Sequence, residues 1–232
     1  MTDIVSASAL TRTYGEGEAA VHALAGVDVA FPSGEFTAIM GPSGSGKSTL
    51  MHLLAGLDRP TSGSVVLDGV ELGALDDNAL TELRRDKIGF IFQAFNLIPV
   101  LSAYENVILP MSIAGVKPDE EWVNQLIDVV GLRDRMSHRP TELSGGQQQR
   151  VAVLRALASK PAVVFADEPT GNLDSAASAE ILQLLRRSVD EFGQTIIMVT
   201  HDDESAGHAD RLLVLRDGAI VEDQATTAAT PA

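Results

Sequence analysis

The sequence predicts an α/β protein in which a mostly parallel sheet is joined by a small antiparallel β subdomain and an inserted α-helical subdomain. Strand-like and helix-like segments alternate along much of the chain, which is typical of a parallel sheet covered by helices. Three strand-like segments, EFTAIM, AVVFAD and TIIMVT, are almost continuously apolar, as expected for strands that are covered on both faces. In the middle of the chain, helical patterns follow one another without a clear strand between them.

The first part of the chain predicts antiparallel strands around the start of the α/β core. VHALAGVDVAF and SGSVVLDG have the composition of strands, and Asp68-Gly69 is a typical turn between paired strands. IGFIFQ and RLLVLRDG are further strand-like segments. VHALAGVDVAF and SGSVVLDG lie on either side of EFTAIM in the sequence, before Gly41 and after Gly63, and we expect them to form a small antiparallel sheet beside the parallel one.

Two segments have the apolar spacing of helices that cover a sheet. In KSTLMHLLAGL the spacing is formed by Leu50, Leu53, Leu54 and Leu57. In SAASAEILQLLRRSVDEF one apolar stripe is formed by Ile181, Leu184, Leu185, Val189 and Phe192. Because each segment follows an apolar strand, both predict strand–helix–strand units.

The stretch from residue 94 to residue 159 predicts the helical subdomain. YENVILPMSIAG, DEEWVNQLIDVVGL and the segment after LSGGQ all have helical patterns. We therefore predict one domain over residues 1–232, with the α/β core and the β subdomain in residues 1–93 and 160–224. The chain ends in DQATTAATPA, which lacks large apolar residues and predicts a disordered tail over residues 225–232.

Composition and charge exclude several kinds of site and partner. The chain has no cysteine, which excludes disulfides and cysteine-ligated metals and fits a reducing cytosol. A net charge of −15 repels phosphate backbones and anionic lipid, so we expect no nucleic-acid partner and no direct membrane insertion. No apolar run approaches the roughly 18 to 20 residues that span a bilayer, and the start does not have the pattern of a signal peptide. We expect a soluble chain whose membrane role, if it has one, comes through a partner.

The segment GPSGSGKS matches the phosphate-binding pattern G-x-x-x-x-G-K-[ST] and lies between a predicted strand and a predicted helix. Its glycines let backbone amides turn toward an anion, and the helix N-terminus adds partial positive charge. We expect Lys47 to reach the β- and γ-phosphates, Ser48 to bind Mg²⁺ and Thr49 to support the α-phosphate. The predicted nucleotide loop consists of Gly41, Pro42, Ser43, Gly44, Ser45, Gly46, Lys47, Ser48 and Thr49. The pattern makes the fold class that of P-loop NTPases with a RecA-like core.

Polar residues follow three of the buried strands, where the carboxyl edge of a parallel sheet binds ligands. Asp167 and Glu168 end VVFADE, and we expect Asp167 to bind Mg²⁺ and Glu168 to polarise the attacking water as a general base. The alternative is the polar end of a strand, which the nearby phosphate loop disfavours. His201 and Gln93 follow TIIMVT and IGFIF, and for these two the alternative of an ordinary loop residue stays open.

A second glycine-rich turn, LSGGQ, stands at the head of an apolar helical segment. Ser144, Gly145 and Gly146 have free amides and a hydroxyl that suit an anion. Ser144 equally suits the cap of its own helix. The residues by themselves leave both interpretations open.

Taken together, these motifs resemble the ABC ATPases, over roughly residues 3 to 224. LSGGQ is that family's signature, and GPSGSGKST, Gln93, VVFADE, the NLD of residues 172–174 and His201 occur in the family's order. The resemblance implies that two copies face head to tail with ATP and Mg²⁺ between them. It implies contact of one copy's signature turn, Ser144, Gly145, Gly146 and Gln147, with the ATP held by the other copy.

Further roles are implied by the same resemblance. Tyr14 occupies the place of an aromatic residue that stacks on adenine, and Asp174 that of a residue coupling the two ATP sites. Gln93 is implied to bind Mg²⁺ and take part in catalysis, and His201 to donate to the γ-phosphate. All the catalytic motifs are intact, which implies an active ATPase.

Finer detail resembles the lipoprotein-release, macrolide-export and cell-division branch of bacterial ABC ATPases, especially in NLIPVLSAYENVILPM and FADEPTGNLDS. This resemblance implies a subunit that drives a membrane permease, in export or in extrusion of lipoprotein or another substrate. The subunit would be cytoplasmic and peripheral on the inner face of the membrane, held there by the permease. Leu154 replaces a smaller residue of many relatives, and we expect only repacking.

The expected permease contact is the apolar stretch NLIPVLSAY near Gln93. Exposed apolar residues there would form a docking cleft. The alternative is that the stretch fills the chain's own core, through Leu97, Ile98, Val100 and Leu101.

One alternative function class stays open, and three others fit the motifs less well. A cell-division ATPase that signals through its membrane partner to cell-wall enzymes has identical motifs and stays open. ATPases of chromosome maintenance need long coiled coils, and those of translation carry two such domains in one chain. A small-molecule kinase would leave LSGGQ, NLD and His201 without a role.

Overall fold

The computed structural model describes residues 2–226, which form two sheets and seven α-helices. The strands are β1 (Asp3–Tyr14), β2 (Val21–Pro32), β3 (Phe36–Met40), β4 (Ser62–Leu67), β5 (Val70–Glu71), β6 (Ile88–Phe92), β7 (Val163–Asp167), β8 (Thr195–Val199), β9 (Arg211–Arg216) and β10 (Ala219–Ala225). The α-helices are α1 (Lys47–Leu54), α2 (Asp77–Lys87), α3 (Ala103–Ala114), α4 (Glu120–Val130), α5 (Gly145–Leu157), α6 (Ser175–Phe192) and α7 (Asp203–Ala206).

The larger sheet has the order β10-β9-β3-β8-β7-β6, and its strands run parallel except for β10, which forms a hairpin with β9. The three apolar segments are the interior strands β3, β7 and β8, in which nearly every residue is buried. The prediction of strands covered on both faces is confirmed. Parallel strands need helical crossovers, which cover the two faces and make such strands apolar throughout.

The smaller sheet is antiparallel, in the order β2-β1-β4-β5. The predicted turn at Asp68-Gly69 joins β4 to β5, with φ of 48° and 77°. Positive φ at both central residues is the geometry that matches the right-handed twist of a two-residue hairpin. The predicted small antiparallel sheet is confirmed.

Between residues 94 and 159 the described chain contains α3, α4 and α5 and no strand. The sequence analysis did not predict α2, because Leu80 is the helix's one buried residue and leaves no apolar stripe. Asp76 caps α2 by accepting from the Ala79 amide. None of the helices in residues 2–226 is long and apolar enough to span a bilayer.

One predicted helix is shorter than expected. The stripe of α1 was expected to include Leu57, but α1 ends at Leu54 and the Leu57 side chain is exposed. Gly56, with φ of 63°, turns the chain away before the next helical turn forms. The predicted stripe of α6 is confirmed, since its five apolar residues pack in the core.

Two hydrophobic cores lie on opposite faces of the larger sheet. Along β8, Ile196 and Met198 belong to the core shared with α3 to α6, whereas Ile197 and Val199 face the core shared with α1 and the smaller sheet. This alternation follows from the two-residue period of a strand. The sheet's carboxyl edge is thereby left for polar residues.

The last described residues continue the hairpin. β10 includes Ala225, and the Thr226 amide donates to the Asp210 carbonyl. The predicted disordered tail of residues 225–232 thus begins with an ordered strand residue at Ala225 and a hydrogen-bonded Thr226. Residues 227–232 lie outside the described part of the chain.

Candidate functional site

The glycine-rich loop of residues 41–46 connects β3 to α1 and is tightly packed on the chain's own backbone. A Cβ atom on Gly41 would lie 2.0 Å from the Leu215 carbonyl oxygen, and one on Gly46 would lie 2.4 Å from that of Ala23. Both glycines have positive φ, 145° and 102°. The loop therefore requires glycine at both positions. Lys47 folds over it, and Nζ donates to the Gly41 carbonyl at 2.7 Å and to that of Pro42 at 2.9 Å.

A cavity of about 570 Å³ opens above this loop. The smaller sheet contributes one wall, and the residues following β7 and β8 contribute another. The lining residues are Val21, His22, Ala23, Ser43, Gly44, Gly46, Lys47, Ser48, Thr49, Glu168, Val199 and His201. The structure thus brings most of the predicted phosphate loop together with Glu168 and His201, while Gly41, Pro42 and Ser45 belong to the loop without lining the cavity.

Two carboxylates end β7 beside this cavity. Burial raises the pKa of Asp167, and the negative charge of Glu168 adds to the increase, whereas His52 and Lys47 oppose it. Glu168 has a positive φ of 48°, and its Oε1 lies 2.8 Å from Nδ1 of His201. That hydrogen bond raises the pKa of His201, whose side chain is 73% exposed.

The donor set at the loop fits Mg²⁺. Mg²⁺ prefers hard oxygen ligands and is usually held by one or two carboxylates together with substrate phosphates. Ser48 supplies a hydroxyl in the first turn of α1, and Asp167 supplies a carboxylate at the end of β7. Residues 2–226 contain no cluster of three or more histidine and carboxylate side chains that could hold a metal without further ligands.

Gln93 follows β6 and faces the turn after β7. Its Nε2 donates to Asn172 Oδ1 at 3.3 Å, and Asn172 Nδ2 donates to the Gln93 carbonyl at 3.0 Å. A Cβ atom on Gly171 would lie 2.7 Å from Gln93 Nε2, so any larger residue there would displace the end of the Gln93 side chain. Gln93 is not among the residues that line the phosphate cavity.

The second glycine-rich turn, residues 144–146, begins α5 and also lies outside that lining. Ser144 Oγ accepts from the Gln147 amide at 3.3 Å, and Gln147 Oε1 accepts from the Ser144 amide at 2.9 Å. This reciprocal pair is a capping box, so the capping role of Ser144 is present. Asp174 caps α6 in a similar manner, accepting from the Ala177 amide at 2.8 Å.

Two side chains that were not predicted from the sequence connect α5 to residues at or after the ends of β6 and β7. Gln149 is fully buried, and its Nε2 donates to the Pro169 carbonyl at 2.5 Å and to the Phe92 carbonyl at 3.4 Å. Arg155 donates to the Phe95 carbonyl at 2.9 Å. A polar residue on the buried face of an apolar helix, four residues before Val153, was the signal that could have identified Gln149.

Tyr14 ends β1 and pairs with Val21, which lines the phosphate cavity. Its hydroxyl donates to Asp58 Oδ2 at 2.9 Å, and the Arg12 guanidinium lies 4.5 Å from its ring centre. Tyr14 was predicted from the sequence, but its neighbours Asp58 and Arg12 were not. Tyr14 itself does not line the cavity.

A glycine loop between a buried parallel strand and a helix, with carboxylates at the end of a nearby strand of the same sheet, defines the P-loop nucleotide hydrolases. A second glycine turn opening a helix is a further feature of this chain. The chain belongs to the ABC transporter family, whose model matches residues 24–171. It is an ABC-type ATPase, and the predicted family and fold class are both confirmed.

Known proteins resemble the chain along most of its length. The macrolide export ATP-binding/permease protein MacB of Marinobacter nauticus is 50% identical over 216 residues, which cover 92% of this chain and 33% of that protein. The lipoprotein-releasing system ATP-binding protein LolD of Legionella pneumophila is 44% identical over 223 residues, covering 95% of this chain and 98% of LolD.

Among solved structures, the ATP-binding cassette MJ0796, dimeric and bound to ADP and Pi, matches with a TM-score of 0.85 and 44% identity. The match covers 95% of this chain and 98% of that one. These relatives agree with the predicted branch of lipoprotein-release and macrolide-export proteins.

Proposed function

We propose that this chain is the ATP-hydrolysing subunit of a bacterial transporter, in which two copies enclose two ATP molecules head to tail and drive a membrane permease in export or extrusion. The observation that carries the proposal is the signature turn of residues 144–146. It has the groups of an anion site, yet it lies outside the phosphate cavity of its own chain. A second copy brings such a turn to that cavity.

The glycine at position 145 supports this arrangement. Its φ is not positive, and a Cβ atom there would meet only ordinary contacts, at 3.7 Å with Leu173 and 3.8 Å with Phe95. The chain's own fold therefore does not require a glycine at this position. A glycine there leaves room for a close approach by something outside the chain, and the ATP of a second copy is the group that the proposal assigns.

Within one site, Lys47 binds the β- and γ-phosphates once it exchanges its two loop carbonyls for phosphate oxygens. When bound, Mg²⁺ would be held by Ser48 and Asp167 and would supply positive charge to the phosphates. Glu168 polarises the water that attacks the γ-phosphoryl group, with ADP and inorganic phosphate as products. His201, already hydrogen-bonded to Glu168 at 2.8 Å, is placed to orient that carboxylate and to donate to the γ-phosphate.

The remaining site residues act around the triphosphate. Tyr14 stacks on the adenine ring, and Gln147 supports the signature turn through the capping box. Gln93, after the end of β6, would help to hold Mg²⁺, and its bonds to Asn172 link it to the NLD turn. Asp174 follows that turn and couples the two sites across the dimer.

The proposed permease contact lies in a groove between α2, β6 and α5, with a volume of about 450 Å³. Its charged lining residues are all arginines, Arg84, Arg85 and Arg155, although the chain carries a net charge of −15. Val100, in the adjacent stretch, is 73% exposed. These features favour docking of an apolar permease segment that carries a carboxylate, and they hold the subunit at the inner face of the membrane.

The head-to-tail dimer is tested with Ser144→Asp in a Glu168→Gln background. Aspartate is as good a helix cap as serine, so α5 keeps its start. Its carboxylate repels a γ-phosphate, however, so we expect ATP-dependent dimers from Glu168→Gln alone and monomers from the double variant. Size-exclusion chromatography with light scattering measures both, and dimers of the double variant would contradict the proposal.

Ser102→Asp in the same background is the matched control. Ser102 caps α3 through the same kind of capping box, with Glu105, so the variant makes the same chemical change at another helix start. We expect it to dimerise with ATP like the Glu168→Gln chain.

The permease contact is tested separately, by co-purification from membranes. Val100→Asp is expected to reduce the recovery of a membrane protein with the subunit, because it places a charge in the apolar contact. Val221→Asp on β10, an exposed valine away from the groove, is the control. Equal recovery with both variants would place the permease elsewhere.

A further inference from the structure

Three side chains from the end of β1 and the segment after α1 form a closed network, the Asp58 tether: Arg12, Tyr14 and Asp58. Tyr14 donates to Asp58 Oδ2 and Arg12 donates to Asp58 Oδ1, each at 2.9 Å. The Arg12 guanidinium lies over the Tyr14 ring, 4.5 Å from its centre. Each group contacts the other two, so both side-chain torsions of Tyr14 are restrained.

The tether is connected to the phosphate loop through α1. Asp58 follows this helix, which begins at Lys47, and the Asp58 amide donates to the His52 carbonyl in its last turn. Asp58 Oδ1 also accepts from the Arg59 amide at 2.8 Å. The tyrosine ring is therefore held at a set distance from the start of α1, and not only by the strand to which it belongs.

The network also distinguishes the two faces of the ring. Arg12 covers one face, and Tyr14 remains 40% exposed. A planar base can stack only on the other face. The Arg12 guanidinium attracts the π electrons of the ring from the face opposite to the base, and Asp58 holds it there. Arg12 therefore does not compete with the base for the free face of the ring.

We propose that Asp58 and Arg12 are positioning residues for the purine base of the nucleotide, acting through Tyr14. The inference rests on the adenine-stacking role proposed above for Tyr14. A side chain ordered before binding loses less conformational freedom when the ligand arrives, which corresponds to roughly threefold to tenfold tighter binding. The tether affects the base and leaves the phosphates untouched.

The test compares ADP with inorganic pyrophosphate, both with Mg²⁺, by isothermal titration calorimetry on the full chain. Neither ligand is turned over by the enzyme. Tyr14→Phe removes the hydroxyl, and Asp58→Asn removes the negative charge that binds both the hydroxyl and Arg12. Both variants keep the ring, and each is expected to weaken ADP binding threefold to tenfold. Pyrophosphate binding is expected to change less than twofold. Asp134→Asn, an exposed aspartate in the turn after α4, makes the same charge change and is expected to alter neither.

Tyr14→Leu completes the design, because it removes the ring. It is expected to weaken ADP binding more than Asp58→Asn does, and adding Asp58→Asn to it is expected to have no further effect. Equal losses for ADP and pyrophosphate in Asp58→Asn, or full additivity of the two changes, would overturn the inference and leave the role of Tyr14 standing. An unchanged ADP affinity in Tyr14→Leu would overturn both, while the role of Lys47 would be unaffected.

Discussion

The two glycine-rich turns of this chain, residues 41–46 and 144–146, both lead into helices but are built differently. In the first, Gly41 and Gly46 are required by contacts with the chain's own backbone, and Lys47 is bound by its own loop. In the second, Ser144 completes its own helix cap, and no contact among residues 2–226 requires a glycine at position 145.

This difference shows which part of the site is complete in one copy. The phosphate loop, Glu168 and His201 converge on one cavity at the edge of one sheet. The signature turn lies outside this cavity, and its proposed ligand is the ATP held by a second copy. Gly145, which no internal contact requires, is thus informative about an external contact. Ser144 is not, because its role as a helix cap already explains it.

Loss of the phosphate loop's lysine is expected to have the largest effect. Among the described residues, Lys47 is the only cation apart from histidine that lines the cavity. We expect Lys47→Ala to lower ATP hydrolysis by at least about 1,000-fold, since charge stabilisation of this kind is the main source of rate in phosphoryl transfer. A coupled phosphate-release assay measures it. Lys117→Ala, at an exposed lysine after α3, is the control, and unimpaired turnover in Lys47→Ala would mean that this loop is not the site.

Replacement of the proposed base separates chemistry from assembly. Glu168→Gln is expected to slow hydrolysis by about 100-fold or more, because general-base catalysis contributes roughly 10²- to 10⁴-fold. Binding of ATP is expected to persist, so the variant accumulates as an ATP-bound dimer. The same phosphate assay, read beside light scattering, checks both; a variant that hydrolyses normally would remove Glu168 from the reaction.

The glycines themselves offer the most direct test of the comparison. Gly41→Ala is expected to destabilise the fold by about 3 kcal/mol, through a strained φ and overlap with the Leu215 carbonyl. Gly145→Ala is expected to leave the free energy of unfolding within about 1 kcal/mol, since alanine is a better helix former, yet to prevent the ATP-dependent dimer. Urea unfolding measures the free energy of unfolding, and light scattering measures the ATP-dependent dimer. A Gly145→Ala chain that dimerises normally would refute the proposal that this glycine contacts a second copy's ATP.

The smallest expected effect concerns Gln149, which connects α5 to the residues at the ends of β6 and β7. Gln149→Leu keeps the side-chain volume but leaves the Phe92 and Pro169 carbonyls without their donor, which is expected to cost about 1–3 kcal/mol of unfolding free energy. Gln148→Leu, at a less buried position that donates to the Leu143 carbonyl, is expected to cost less than half as much. Urea unfolding of both variants measures the difference, and equal costs would mean that Gln149 is no special link.

Much of the fold was predictable because burial leaves a periodic pattern in the sequence. The apolar strands, the stripe of α6 and the Asp68-Gly69 turn were all predicted correctly. The extension of α1 to Leu57 was wrong, because Gly56 bends the chain where the apolar spacing continues. Helix α2 was missed, since it buries only Leu80 and is fixed by its cap.

The sequence by itself determined the phosphate loop, the residues at the strand ends and the membership of the chain in its family, because each depends on residues that are close together in the chain. Only the tertiary structure decided which distant side chains meet: Glu168 with His201, Gln93 with Asn172, and Tyr14 with Asp58. The first two pairs depend on the order of strands in the larger sheet, where β7 lies between β8 and β6. The third joins β1 of the smaller sheet to the segment after α1. No local pattern encodes the strand order, because it results from how the two cores pack.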